Sequence, residues 1–122
     1  MGRVEEIFLE GKNIVYVDCS GLTSDKAFLD VIAEARPIID KYTAQSVYTI
    51  TNIANIKFDT NTKEITAKYS RDNAPYVIYG VVVGIDGIKK MMGLAVMKLS
   101  GRTNITFAFT KEQAIEWILK HE

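Results

Sequence analysis

Few residues in this chain are of types that do chemistry. Ser20 stands two positions after Asp18. In a hydrolase that pairing needs a histidine to carry the proton, and the single histidine, His121, lies next to the end of the sequence. Without a base in reach, Asp18 and Ser20 read as residues bonding within their own turn. Cys19 lies between them. A reactive thiolate needs a cationic neighbour, so Cys19 reads as a small core residue. Gly84-Ile85-Asp86-Gly87 followed by Lys89 and Lys90 is the best place for a phosphate or a carboxylate, because a helix start there offers free N–H groups beside two cations. It lacks the Gly-x-x-x-x-Gly-Lys-Ser/Thr spacing of a P-loop. Asp86 opposes an anion and is suited to cap the helix itself. No convergent acid, base and nucleophile emerges, so no catalytic residue is assigned.

These residues are positioned by an alternation of strands and helices. Arg3–Glu10 and Ile14–Asp18 read as an antiparallel hairpin around a Glu10-Gly11-Lys12-Asn13 turn, with Gly11 and Asn13 tolerating positive φ. Thr23, Ser24 and Asp25 are cap types before a helix to about Lys41, whose stripe is Ala27, Phe28, Val31, Ile32, Ala35, Ile38, Ile39 and Tyr42. Pro37 predicts a kink in it. Ser46–Ile53 is a third strand. Asp59, Thr60 and Asn61 offer caps to a helix from about Thr62 to Asn73, with Glu64 placed for a capping box on Asn61. Low apolar content predicts that this helix is the most exposed. Val77–Val83, almost without a polar break, reads as the central strand, covered on both faces. A helix over Ile88–Leu99 follows. Ile105–Phe109 is the last strand, and Thr110 with Gln113 boxes the last helix. This order predicts an α/β fold: a mixed, mostly parallel five-stranded sheet with four helices. In such sheets ligands sit at the carboxyl ends of the strands. The turns there are Asp18–Thr23, Asn52–Asn61, Gly84–Gly87 and Phe109-Thr110.

The bulk composition excludes several classes. The chain has 122 residues, enough for one domain with its own core. Acidic and basic residues balance at 15 each, which leaves no electrostatic footprint for nucleic acid. One cysteine cannot form an internal disulfide, and no Cys/His cluster offers a metal site. No apolar run reaches membrane-spanning length, and the start lacks a signal-peptide core. The expectation is a cytoplasmic protein with no cofactor, no metal and no membrane insertion.

With that order established, the chain resembles the STAS superfamily, the fold of anti-sigma-factor antagonists, and more closely its STAS/SEC14-like branch. The residues that carry the resemblance are GKNIVYVDCSGL, SVYTITNI with the downstream FDTNT, YVIYGVVVGIDGIKKM and FTKEQAIEWIL. They cover nearly the whole chain, as a single STAS-like domain. The resemblance implies a non-enzymatic regulatory or protein-interaction module. The family's phospho-switch is a serine in an Asp-Ser-Ser-Gly turn after the third strand. The matching stretch is Asp59-Thr60-Asn61-Thr62, where the Asp matches, the acceptor position falls on or near Asn61, and Thr60 or Thr62 substitutes only by a shift of register. The classical switch is therefore not preserved.

The Ile88–Leu99 helix is apolar nearly all round. Leu94 and Met97 fall opposite its main stripe, which predicts a second contact for them, either a homodimer or partner interface or an apolar ligand groove. Two functions follow. One is an interaction module binding a protein partner or itself. The other is a carrier of a small apolar or lipid-like ligand with an anionic head, which requires a cavity between this helix and the first one.

Overall fold

The computed structural model describes residues 2–57, 59–84, 94 and 97–121. Strand β1 (Val4–Leu9) pairs antiparallel with β2 (Lys12–Asp18), and Leu9 opposite Lys12 leaves a two-residue turn. Its residues Glu10 and Gly11 have φ of 48° and 79°. Two positive φ values are what a twisted two-residue hairpin turn demands. Asn13, expected at positive φ, instead pairs with Phe8 inside the ladder.

From β2 onward every pairing is parallel, and the sheet runs β1-β2-β3-β4-β5. Parallel neighbours need crossovers. Helix α1 (Asp25–Asp40) joins β2 to β3 (Val47–Asn52), and α2 (Thr60–Asn73) joins β3 to β4 (Val77–Val83). Helical residues 94 and 97–100, here α3, precede β5 (Ile105–Ala108), and α4 (Lys111–Lys120) follows it. The α/β class with a mostly parallel five-stranded sheet is as expected. The middle strand, however, is β3 rather than β4, because the strands add one after another in chain order.

Alternation assigns the two faces of the sheet. Val15, Val17 and Val47 face α1 and meet Phe28, Val31, Ala35 and Ile39. Ile14, Tyr48, Ile50, Val81 and Val83 point the other way, onto Ala114 and Ile118 of α4. The register shifts between Val47 and Tyr48, so Val77 pairs with Val47 while Tyr79 pairs with Tyr48. The extra residue lets Ile78 and Tyr79 both pack toward the α4 side, and Gly80 comes level with Thr49.

The helices start where their caps say. The Ser24 side chain accepts from the Ala27 N–H, and α1 runs unbroken through Pro37 to Asp40. At α2 the cap is Asp59, accepting from the Thr62 N–H, so the helix begins at Thr60 and the Asn61–Glu64 box is not used. Thr110 Oγ1 accepts from the Gln113 N–H at 3.1 Å, and Gln113 Oε1 accepts from the Phe109 N–H at 3.1 Å. The expected box thus forms, its return bond made one residue upstream of the cap. Replacing Thr110 with alanine is expected to cost about 1 kcal/mol, read as a lower urea midpoint with an unchanged m-value.

Candidate functional site

A pocket with a cavity volume of about 80 Å³ lies between the α1–α2 layer and the sheet. Its floor follows from the alternation just described: Thr49 and Thr51 of β3, Gly80 and Val82 of β4, Ile105 and Phe107 of β5. Phe28 and Ile32 of α1 and Met97 of α3 close its apolar side. The floor is hollow because its middle is small. Gly80 contributes no side chain to it, and Thr49 stands close: a Cβ on Gly80 would lie 3.2 Å from Thr49 Oγ1, tighter than an ordinary contact. The volume is several times the roughly 10–15 Å³ that admits one water.

Helix α2 supplies the polar roof. Thr62, Thr66, Tyr69, Ser70 and Asn73 recur at helical spacing, and all but Thr62 line the cavity. Sequence reasoning expected α2 to be the most exposed helix, yet Thr62, Ala67, Tyr69, Ser70 and Asn73 are buried. Its inward stripe is polar, and an apolar count misses it. Thr66 Oγ1 is satisfied by donating to its own helix, at 3.0 Å from the Thr62 carbonyl. The Tyr69 hydroxyl lies 3.3 Å from Thr51 Oγ1, and burial pushes its pKa up.

One charged side chain lines this cavity among the described residues: Arg102, only 8% exposed. Its Nε donates to Asn104 Oδ1 at 2.9 Å, and its Nη1 donates to the Ser70 carbonyl at 3.0 Å. The second bond satisfies a carbonyl in the last turn of α2, where the helix dipole favours a cation. Asn104 is held in turn by donating to the Ile78 carbonyl at 2.8 Å. Among the described residues Arg102 Nη2 has no partner, and neither do Ser70 Oγ or Asn73 Oδ1. Ser70 is 6% and Asn73 2% exposed. Buried groups of this kind normally find partners. Burial pulls the Arg102 pKa below its ordinary value, but a guanidinium keeps its charge in proteins. No carboxylate among the described residues forms an ion pair with it.

Cys19 also lines the cavity and is 1% exposed. Burial, helped by the Asp18 charge, pushes its thiol up to about 12. It is a protonated wall residue at neutral pH. Its neighbours form a closed turn: Ser20 Oγ and the Ser20 N–H both donate to Asp18 Oδ1, and Arg3 Nη1 donates to the Ser20 carbonyl at 2.9 Å. His121 is half-buried, stacked on Trp117 with ring centroids 4.7 Å apart. Trp117 packs on the α4 side of the sheet, away from Ser20.

The remaining sequence-flagged residues disperse. Asp59 Oδ1 accepts from the Thr62 N–H at 3.0 Å and Asp59 Oδ2 pairs with Lys57 at 3.0 Å. These bonds, the backbone one foremost, pull its carboxyl from 3.8 to about 2. A depressed carboxyl stabilises the fold above its unfolded value, so this contribution is complete above about pH 4 and is lost toward pH 2. Thr60 and Asn61 are exposed, whereas Thr62 is 3% exposed, so a kinase reaches Thr62 only after α2 opens. Of the anion-binding group only Gly84 is described; Asp86, Gly87, Lys89 and Lys90 lie outside the described residues. Leu94 and Met97 part company: Leu94 is 50% exposed, while Met97 lines the cavity.

Sequence reasoning missed Arg102, Ser70 and Asn73. Arg102-Thr103-Asn104 follows Gly101, which has φ of 74°, and reads as a turn. The usable signal was the polar stripe on α2. No protein-family model matches this chain, and neither does any curated protein.

Proposed function

We propose that this protein is a small-molecule binding module on a STAS-like α/β scaffold, without catalytic chemistry of its own, taking a ligand with an apolar body and a polar, anionic head. The cavity under α1 and α2 carries the reading. It lies between the first helix and the helical segment containing Met97, where a ligand carrier needs one. A mostly apolar pocket with a few convergent polar groups is the usual form of a ligand site. Binding is favoured over catalysis by the wall itself. Its described residues include no carboxylate and no imidazole, and its one thiol is held protonated. The STAS-like reading is supported by the order of helices and strands and by the motifs in SVYTITNI and FTKEQAIEWIL.

The interaction-module reading has a separate support. Leu94, Leu99 and Phe109 are 50%, 49% and 79% exposed, and large exposed apolar side chains favour contact with a partner where they form a patch.

One experiment tests both. The protein is incubated with a small-molecule extract of its host and measured by native mass spectrometry against its bare mass of 13.7 kDa. A monomer carrying a small noncovalent adduct is the expected result. A bare dimer would replace the carrier by self-association, and a bare monomer from a saturating extract would remove the carrier reading.

A further inference from the structure

The polar end of the cavity has more donors and acceptors than the fold uses. Among the described residues, three side-chain atoms of residues that line the cavity are buried without partners: Arg102 Nη2, Ser70 Oγ and Asn73 Oδ1. An unpaired buried polar group costs about 1–3 kcal/mol, more when charged. The three residues line the same cavity, and Arg102 Nη1 donates to the Ser70 carbonyl. Other polar groups nearby are spent, Thr66 on its own helix and Arg102 Nε on Asn104.

Resting on the cavity reading above, we propose that this end is a carboxylate site. Arg102 Nη2 supplies the charged donor, Ser70 Oγ a second donor, and Asn73 Oδ1 accepts from a hydroxyl or N–H adjacent to the carboxylate. The ligand class is a small organic monocarboxylate with an apolar tail. Charge selects it. Arg102 is the one cation among the described lining residues, so a monoanion is neutralised and a phosphate dianion leaves one charge buried and unpaired. Guanidinium–carboxylate bonds are also about twice as strong as neutral ones. The tail has its place on Phe28, Ile32, Met97 and Phe107.

The test uses three probes of one chain length, hexanoate, 1-hexanol and hexyl phosphate, titrated at pH 7 with binding read at the methyl resonances of Thr49 and Met97. Hexanoate is expected to bind about tenfold or more tighter than hexanol. Arg102→Met should erase that preference. Ser70→Ala keeps the carbonyl that Arg102 uses, and should cost hexanoate alone about tenfold; it decides the matter if Arg102→Met does not fold. Equal binding of hexanoate and hexanol would overturn the carboxylate site and leave the cavity reading intact. Tighter binding of hexyl phosphate would overturn the monoanion assignment. A preference for hexanoate that survives both substitutions would overturn the role of these residues. No binding of any probe at Thr49 and Met97 would remove the cavity reading as well.

Discussion

Replacing Ile50 with alanine is expected to destabilise the protein by roughly 2–5 kcal/mol, a large share of the roughly 5–15 kcal/mol that holds a domain together. Ile50 is fully buried. It sits in the middle strand, paired with Tyr16 on one side and Val81 on the other, and its side chain packs in the layer under α4 with Ala114 and Ile118. Strands on both sides and a helix above leave little freedom to collapse into the lost volume, and that is where the cavity penalty is largest. Ile105 gives the contrast. It is half-buried against space already empty, so its removal forfeits fewer contacts. Ile105→Ala should cost less than half as much. Urea denaturation of both variants checks the pair. Equal losses would mean that the cavity is filled in solution or that β3 is not the centre of the sheet.

Gly84→Ala is the second large effect. Gly84 ends β4 with φ of 81°, a conformation costing an L-residue about 1–2 kcal/mol. An added Cβ would also stand 2.7 Å from the Ala54 nitrogen and 2.8 Å from its Cα. The obstacle is backbone, and that backbone is tied down. The Ala54 carbonyl accepts from Gly21 N–H at 2.8 Å, and Ile53 N–H donates to the Val83 carbonyl at 2.9 Å. Strain and clash together are expected to cost about 3 kcal/mol or more. The loss should appear as a lower thermal midpoint and as faster amide exchange at Gly21 and Ile53. A loss below about 1 kcal/mol would mean that the β3 and β4 ends move independently. Gly84 stood out in the sequence as part of an anion loop. Its position here is explained by close approach of two strand-end loops.

Much of the fold was determined by the sequence alone, for local reasons. Alternation in Val47–Asn52 and the continuous apolar run of Val77–Val83 define strands whatever lies beside them. The stripe through Phe28, Val31, Ala35 and Ile39 defines α1, and Thr110 with Gln113 sets the start of α4. Caps, turns and periodicity act within a few residues, so they are legible one stretch at a time. The two-residue turn at Glu10-Gly11 was misplaced because Lys12 and Asn13 belong to β2 by their pairing, a cross-strand fact.

Only the tertiary structure decided which strand is central, that α4 covers the face opposite α1, and where a charge is buried. Arg102 is the sharpest case. A charged residue in an Arg-Thr-Asn turn after glycine is read as solvated, since arginine is seldom buried without a partner. It is buried because Asn104 bonds the start of β4 while the last turn of α2 lies above it. The bonded residues are 32 and 26 positions apart in the chain, the kind of separation that βαβ crossovers close, and no local pattern records their meeting. The cavity arises in the same way. Gly80 and Thr49 are unremarkable in their own strands, and come to share the cavity floor only when register sets one beside the other.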